Sequence, residues 1–314
     1  MPFQHAPLET GHSEFEVLAR FFERTGSGGS DLIVGLGDDA AVVAIGEERV
    51  ALCADALVER VHFDLAYYSI ADLAAKAIAV NASDIAAMGA TPKFYLSTVA
   101  SQGGLNVEDL LVGMAEEARA HGALLIGGDL ASSGELNVSV TAVGVFEAGA
   151  AVLRRGGMVA GDTILVTGPL GGSARGLRGL RQGDPDLPEA AKQAHLRPRA
   201  QLAAGALAGR LGAHAAIDVS DGLLADLEHM LVASGVGADL GEIPRFEGAT
   251  EEEALYGGED FQLIIASDKP TELAAAFLAE GLPEPIVIGR SKPHAPVRLL
   301  QGRPYRPDGY THLI

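Results

Sequence analysis

Seven aspartates in five short segments offer the most specific chemistry in this chain: Gly37-Asp38-Asp39, Ala54-Asp55, Ser83-Asp84, Gly127-Gly128-Asp129 and Asp218-Val219-Ser220-Asp221-Gly222. Each segment follows or interrupts an apolar run, which places its carboxylates at the ends of buried elements. Converging carboxylates repel one another unless cations hold them together. An all-oxygen ligand set suits Mg²⁺, and a magnesium site of this acidity suits phosphate substrates. Taken singly, each segment has a plainer reading. Gly-Asp-Asp and Gly-Gly-Asp fill turns, and Ser83-Asp84 and Ser220-Asp221-Gly222 cap helices. Five such segments, all at the ends of apolar elements, favour one shared metal cluster.

Other residues narrow the chemistry. Arg154-Arg155 stands in a chain poor in basic residues and reads either as a phosphate clamp or as a charged loop at a domain boundary. The glycine-rich turn Gly168–Gly172 precedes a helix; it is either an anion site or simply the turn that starts the helix. No GxxxxGK[ST] loop is present, and none of Lys76, Lys93, Lys192, Lys269 and Lys292 lies in a glycine loop after a strand. Kinase His-Arg-Asp and Ser-His-Asp elbow motifs are absent as well. The nine histidines show no HExxH spacing, and the single Cys53 excludes an intrachain disulfide and a cysteine-based zinc site.

The elements that must position these residues are legible from periodicity. Ser13-Glu14-Phe15-Glu16 reads as a capping box, followed by a helix through Phe22 and a loop over Thr25–Ser30. Strands are predicted at Leu32–Leu36, Ala40–Ile45 and Arg49–Ala54, with the Gly-Asp-Asp turn between the first two. Asp72–Met88 is an alanine-rich helical stretch. Asn81 and Ser83 inside it compete for backbone hydrogen bonds, so a kink or a restart at Ser83 is expected. Phe94–Ala100 is a strand, and Asn106 caps a helix through Leu110, Leu111, Met114 and Ala118, ending at Gly122. Leu124–Ile126 and Leu136–Phe146 are strands, with Gly127-Gly128-Asp129 just after the first. Arg154–Gly161 reads as the connection between two domains, 1–150 and 151–314. Beyond it come strands at Thr163–Thr167, Ala215–Val219 and Phe261–Ala266. A polar loop covers Arg181–Glu189, and a helix over Leu223–Leu231 buries Leu223, Leu227, Met230 and Leu231. Pro270 begins a last helix that ends at Gly281. Strands and helices alternate in both halves, indicating two α/β-type (α+β) domains.

Composition sets outer bounds. The chain has 314 residues, 48% hydrophobic and 21% charged, which is globular. Its net charge of −19 argues against nucleic acid as a partner. Residues 1–12 lack a basic start and an apolar stretch, so no signal peptide is expected. No run is apolar enough to span a membrane. The expected compartment is a reducing cytoplasm.

A set of longer motifs goes further. Gly37-Asp38-Asp39-Ala40-Ala41-Val42 comes first, followed by Asp55 through His62-Phe63 and by the run from Lys76 to Pro92. Gly127-Gly128-Asp129, Gly161 through Gly168, Asp218 through Gly222 and Tyr256-Gly257-Gly258-Glu259-Asp260 then appear in order. In this set the chain resembles the thiamine-monophosphate kinase family over nearly its whole length. The resemblance implies the two-domain fold of aminoimidazole ribonucleotide synthetase, with N-terminal domains paired in a homodimer. It implies transfer of the ATP γ-phosphoryl group to thiamine monophosphate with several Mg²⁺ ions. By position, Asp39, Asp55, Asp84, Asp129, Asp218 and Asp221 resemble the family's magnesium ligands. Gly128, Asp129, Arg155 and Ser220 resemble its ATP contacts, and His62, Glu259 and Tyr310 its thiamine-phosphate contacts. Asp84, Asp129 and Arg155 are the residues the resemblance puts at the reacting groups. One departure stands out: the family has Ser-Thr before the aspartate matching Asp55, and this chain has Cys53-Ala54.

The rivals are other members of the same superfamily, or a protein that keeps the fold and only binds nucleotide. Selenophosphate synthetase carries an N-terminal Cys or selenocysteine that this chain lacks. The hydrogenase-maturation dehydratase ends in a reactive cysteine, whereas this chain ends Thr-His-Leu-Ile.

Overall fold

The structure, a computed structural model, describes residues 17, 20, 21, 24, 29–295 and 297–310. The expected capping box at Ser13–Glu16 lies outside the described residues. Val17, Arg20, Phe21 and Arg24 are helical.

The N-terminal sheet holds six strands in the order β1-β2-β3-β6-β4-β5. They are β1 (Leu32–Val34), β2 (Ala41–Ile45), β3 (Glu48–Val58), β4 (Thr91–Ser101), β5 (Leu124–Ser132) and β6 (Asn137–Val145). Neighbours pair antiparallel except β4 and β5, which are parallel. β6 alternates buried and half-buried residues along its whole length, as a strand with one face on a core must. β5 lies at the edge. It extends to Ser132, so Gly127-Gly128-Asp129 sits inside the strand rather than after it. The expectation of a turn there overlooked how little side chain the parallel pairing requires. Gly128 has φ +152, and a Cβ on it would lie 1.7 Å from the Ser97 carbonyl oxygen of β4. Glycine is what lets the two backbones meet.

Helix α1 (Ile70–Ala87) covers this sheet. It starts with a capping box: the Ser69 side chain accepts from Asp72 N–H while Asp72 returns to Ser69 N–H. The expected break at Ser83 does not occur. Asn81 Nδ2 bonds the Ala77 carbonyl and its Oδ1 accepts from the Asp55 N–H of β3. Ser83 Oγ donates to Asp218. Tertiary partners occupy both side chains, so neither competes destructively with the helix ladder. Leu73, Ile78 and Ile85 are fully buried, each contributing about 1.5–3 kcal/mol by leaving water. Helix α2 (Val107–Ala120) packs beside α1; its Asn106 cap accepts from Asp109 N–H as expected.

A short 3₁₀ turn at Arg155–Gly157 joins the two sheets. The second sheet has seven strands, ordered β13-β12-β9-β11-β7-β10-β8. They are β7 (Thr163–Val166), β8 (Ala215–Asp218), β9 (Gly237–Leu240), β10 (Leu263–Ser267), β11 (Ile286–Lys292), β12 (Arg298–Leu300) and β13 (Arg303–Pro304). Its helices are α3 (Gly172–Gln182), α4 (Glu189–Leu196), α5 (Leu202–Arg210), α6 (Leu223–Ser234), α7 (Glu251–Tyr256) and α8 (Pro270–Ala279). The alanine-rich face of α1 also meets this half. A Cβ at Gly205 of α5 would lie 2.0 Å from the Ala86 carbonyl oxygen, so the helices touch backbone to backbone. Ala86 and Ala87 share a hydrophobic cluster with Leu165, Ala208 and Leu263. Thus α1 belongs to both cores and sets how the two sheets face each other. Among the described residues no helix is long and apolar enough to cross a membrane.

Candidate functional site

Three carboxylates from distant parts of the chain converge beside α1. Oxygen atoms of Asp39, Asp84 and Asp218 lie within 4.8 Å of one another. Asp39 ends the turn between β1 and β2, Asp84 lies in the last turn of α1, and Asp218 ends β8 of the second sheet. The cluster therefore sits in the seam between the two halves. Asp55, on β3, interacts with Asp84. Cys53, two residues earlier on the same face, donates its thiol to the Asn81 carbonyl and lies against Asp84 and Asp55.

Burial and mutual repulsion act together on these acids. Desolvation pushes Asp39 up to about 6, even though Arg155 pulls the other way. It pushes Asp218 up to about 8, with Asp39 adding repulsion and the Ser83 hydroxyl offsetting part of it. Asp84 is raised well above the usual carboxylate range, by burial first and then by Asp55, Asp218 and Asp39. Asp39 Oδ2 is buried and has no hydrogen-bond partner among the described residues. An orphaned carboxylate oxygen in a group of three converging carboxylates fits a hard divalent cation.

Arg155 borders the cluster. Its Nε and Nη2 donate to Asp39 Oδ1 at 3.0 and 2.5 Å, and its backbone N–H donates to Asp38. A cleft of about 290 Å³ opens beside it, lined by Gly35, Gly37, Asp38, Arg154 and Arg155 among others. The loop carrying Ser220 and Asp221 is shaped by Asp226 of α6. One buried oxygen of Asp226 accepts the N–H groups of Ser220, Asp221 and Gly222 at 3.0, 3.1 and 3.0 Å.

Two of the three residues expected at the acceptor end, His62 and Glu259, share one ammonium group. Lys76 Nζ donates to Glu259 Oε1 at 2.5 Å and to the His62 carbonyl at 2.7 Å. His62 Nδ1 accepts the Val58 N–H, which leaves the ring proton on Nε2. Tyr310 is exposed, and its N–H donates to the Asp221 carbonyl. Two expected residues stand apart from the carboxylate group: Asp129 is exposed on edge strand β5, opposite Thr98, and Asp221 lies on the Asp226 loop.

Sequence reading missed Lys76 and Asp226 as parts of the site. Lys76 carries a signal: a lysine in the same helical phase as Leu73 and Val80, on an alanine-rich stretch, is a charge inside an apolar stripe. Asp226 carries less of one, since an acidic residue in a helix's first turn is ordinary.

Comparison with known proteins agrees with the geometry. The family described as AIR synthase related protein matches through its N-terminal domain at residues 37–146 and its C-terminal domain at residues 159–299. A thiamine-monophosphate kinase of Mycobacterium tuberculosis is 38% identical over 253 residues, 79% of this chain and 75% of that protein. One from Bacillus subtilis is 37% identical over 269 residues, 80% of this chain and 82% of that protein. The solved structure described as AaThiL complexed with AMPPCP and TMP superposes with a TM-score of 0.85 at 30% identity. The match covers 96% of this chain and 97% of that one.

Proposed function

The chain belongs to the thiamine-monophosphate kinase family, and on that premise we propose how its residues carry the family's reaction. The protein is an ATP-dependent kinase that converts thiamine monophosphate to thiamine diphosphate, releasing ADP. The observation that carries the reading is the convergence of Asp39, Asp84 and Asp218 from both halves of the chain.

The acceptor is itself a phosphate, largely dianionic near neutral pH because its second pKa is about 6. No general base is needed. An acceptor oxygen forms the new bond to the γ-phosphorus as the bond from that phosphorus to the β–γ bridging oxygen breaks, and ADP leaves with the electron pair. The obstacle is repulsion between two anions. Asp39, Asp84 and Asp218, with Asp55 alongside, fit Mg²⁺ by their donor chemistry and by the orphaned oxygen of Asp39. Asp129 and Asp221 complete the proposed ligand set by resemblance. Magnesium bound there supplies charge screening and in-line alignment of donor and acceptor.

The protein's own groups do the rest. Arg155, anchored by Asp39, places a fixed positive charge beside the cleft for the polyphosphate. Gly128, Asp129 and Ser220 are the further nucleotide contacts. His62, Glu259 and Tyr310 form the acceptor pocket. Their support is local: the His62 carbonyl and the Glu259 carboxylate share the Lys76 ammonium, and Tyr310 is bonded to the Asp221 loop. By resemblance Asp84, Asp129 and Arg155 act on the transferred phosphoryl; Asp84 and Arg155 stand at the carboxylate group, whereas Asp129 lies on the edge strand. We also propose a homodimer formed through the N-terminal sheet. Leu124 and Ile126 of β5 and Phe94 and Leu96 of β4 are exposed, with Leu124 paired to Phe94, and Leu130 beyond the register shift is exposed further along the same edge. An exposed apolar edge is a pairing surface.

A coupled ADP-release assay tests the reading. ADP release is expected with thiamine monophosphate and Mg²⁺, and not with Mg²⁺ chelated. Release with aminoimidazole ribonucleotide precursors instead, or with no acceptor tested, would overturn it.

A further inference from the structure

Lys76 is a fully buried lysine on an alanine-rich helix. Its ammonium has three acceptors for its three protons: Glu259 Oε1 at 2.5 Å, the His62 carbonyl at 2.7 Å and the Tyr68 hydroxyl at 3.3 Å. The first lies in the second half of the chain, 183 residues away, and the other two lie in the loop between β3 and α1. An unpaired charge at this depth is prohibitively costly, so Lys76 needs Glu259 where it is.

Glu259 in turn sits in a backbone conformation it does not choose freely. Its φ is +65, and Phe261 two residues on has φ +49. Non-glycine residues hold such angles only where surrounding contacts over-determine them. Those contacts are present. Glu259 N–H donates to the Ser220 carbonyl at 2.8 Å and Phe261 N–H to that of Val219 at 2.9 Å. Asp260 accepts from the N–H groups of Gly171 and Ser173 at 2.5 and 3.0 Å. The side chain of Glu259 keeps 28% of its surface exposed, and its second oxygen lies 3.5 Å from His195 Nδ1. Burial alone would raise the Glu259 carboxyl. The Lys76 ammonium, with His195 and His62, outweighs burial and holds it below the usual range.

We propose that Lys76 is a positioning residue of the acceptor site: it reaches across the seam and fixes the Glu259 carboxylate where the acceptor meets it. The proposal rests on the assignment of Glu259 to the acceptor pocket made above. Because Lys76 already balances the charge of Glu259, the carboxylate meets its ligand as a hydrogen-bond acceptor at a set position rather than as a mobile counter-ion. Losing Lys76 therefore weakens acceptor binding through Glu259 and leaves the nucleotide end alone.

A double-mutant cycle on the full chain tests this, with Lys76→Met, Glu259→Gln and the pair, each checked by thermal melt. Lys76→Met should raise KM for thiamine monophosphate about tenfold while KM for ATP moves less than about twofold. In the Glu259→Gln background it should add nothing further, because residues acting through one another are non-additive. Multiplying effects, or equal rises in both KM values, would make Lys76 a structural residue and overturn the proposal. If Lys76→Met fails to fold, Lys76→Gln, which keeps a donor, replaces it in the cycle. If Glu259→Gln itself leaves the acceptor KM unchanged, the assignment of Glu259 is what fails, and the proposal falls with it. A parent protein inactive on thiamine monophosphate would mark the failure of the functional reading instead.

Discussion

At the scale of single residues, the acids of the cluster are held in an unfavourable state that the proposed cation would relieve. Asp39 is pushed up to about 6 by burial, with Asp38 and Asp55 adding repulsion, and Asp218 up to about 8 by burial and then by Asp39. A carboxyl raised in the folded chain stabilises the fold fully below the ordinary carboxyl range, and that contribution is lost as pH rises through the folded value. The metal-free protein should therefore lose thermal stability as pH rises from the ordinary carboxyl range, about 4, through the folded values of about 6 and about 8, and saturating Mg²⁺ should restore it. Metal binding must expel protons, so Mg²⁺ affinity should rise about tenfold per pH unit for each proton displaced. Calorimetry in two buffers of different ionisation enthalpy reads this directly. Asp84→Asn, which keeps the volume and removes one charge, should fold, flatten that pH dependence and lower kcat by orders of magnitude. Mg²⁺ affinity that is flat from pH 6 to 8 in the parent would sink the cluster assignment.

At the scale of elements, the loop between β8 and α6 is only as ordered as Asp226 makes it. Helix α6 has no side-chain cap at Gly222, whose φ is +122. Asp226 instead reaches back from the first turn and gathers three N–H groups on one oxygen. Asp226→Ala leaves three donors without that partner, Gly222 N–H buried and the other two half-buried, and each unsatisfied donor costs about 1–3 kcal/mol less whatever water recovers. The expected outcome is a lower urea midpoint together with a rise in KM for ATP, since Ser220 sits in that loop. A variant with parental stability and parental KM would show that the three bonds do not shape the site. Helix α1 illustrates the opposite case. Its Asn81 and Ser83 look like helix breakers, yet both are consumed by partners on β3 and β8.

At the scale of the whole molecule, the exposed row on β4 and β5 decides the expected assembly. Leu124, Ile126 and Leu130 would be a liability on the edge of a lone chain. Ile126→Asp should convert the proposed dimer to a monomer in sedimentation experiments without changing the far-ultraviolet circular dichroism, because the residue is exposed on the edge strand. A parent that already sediments as a monomer would remove the dimer from the proposal.

Much of this protein was legible in order along the chain. The Asn106 cap, the helix start at Pro270, the strands of the N-terminal sheet, β7, β8 and β10 of the second, and the aspartate-bearing segments follow from local periodicity and turn chemistry, which act over a few residues; β9, β11, β12 and β13 are not among the strands predicted from the sequence. The motif set from Gly37 to Asp260 was enough to place the family. What those signals cannot carry is which segments meet. Ser83 and Asp218 are 135 residues apart, and Lys76 and Glu259 are 183 apart. Asp39, Asp84 and Asp218 form one group only because α1 packs against both sheets at once. Asp129, the same kind of residue in the same kind of segment, stays exposed on the edge of the N-terminal sheet. A local pattern reports which face of an element is apolar; the free energy that chooses the partner of that face comes from burial summed over the whole fold, and no short segment contains it.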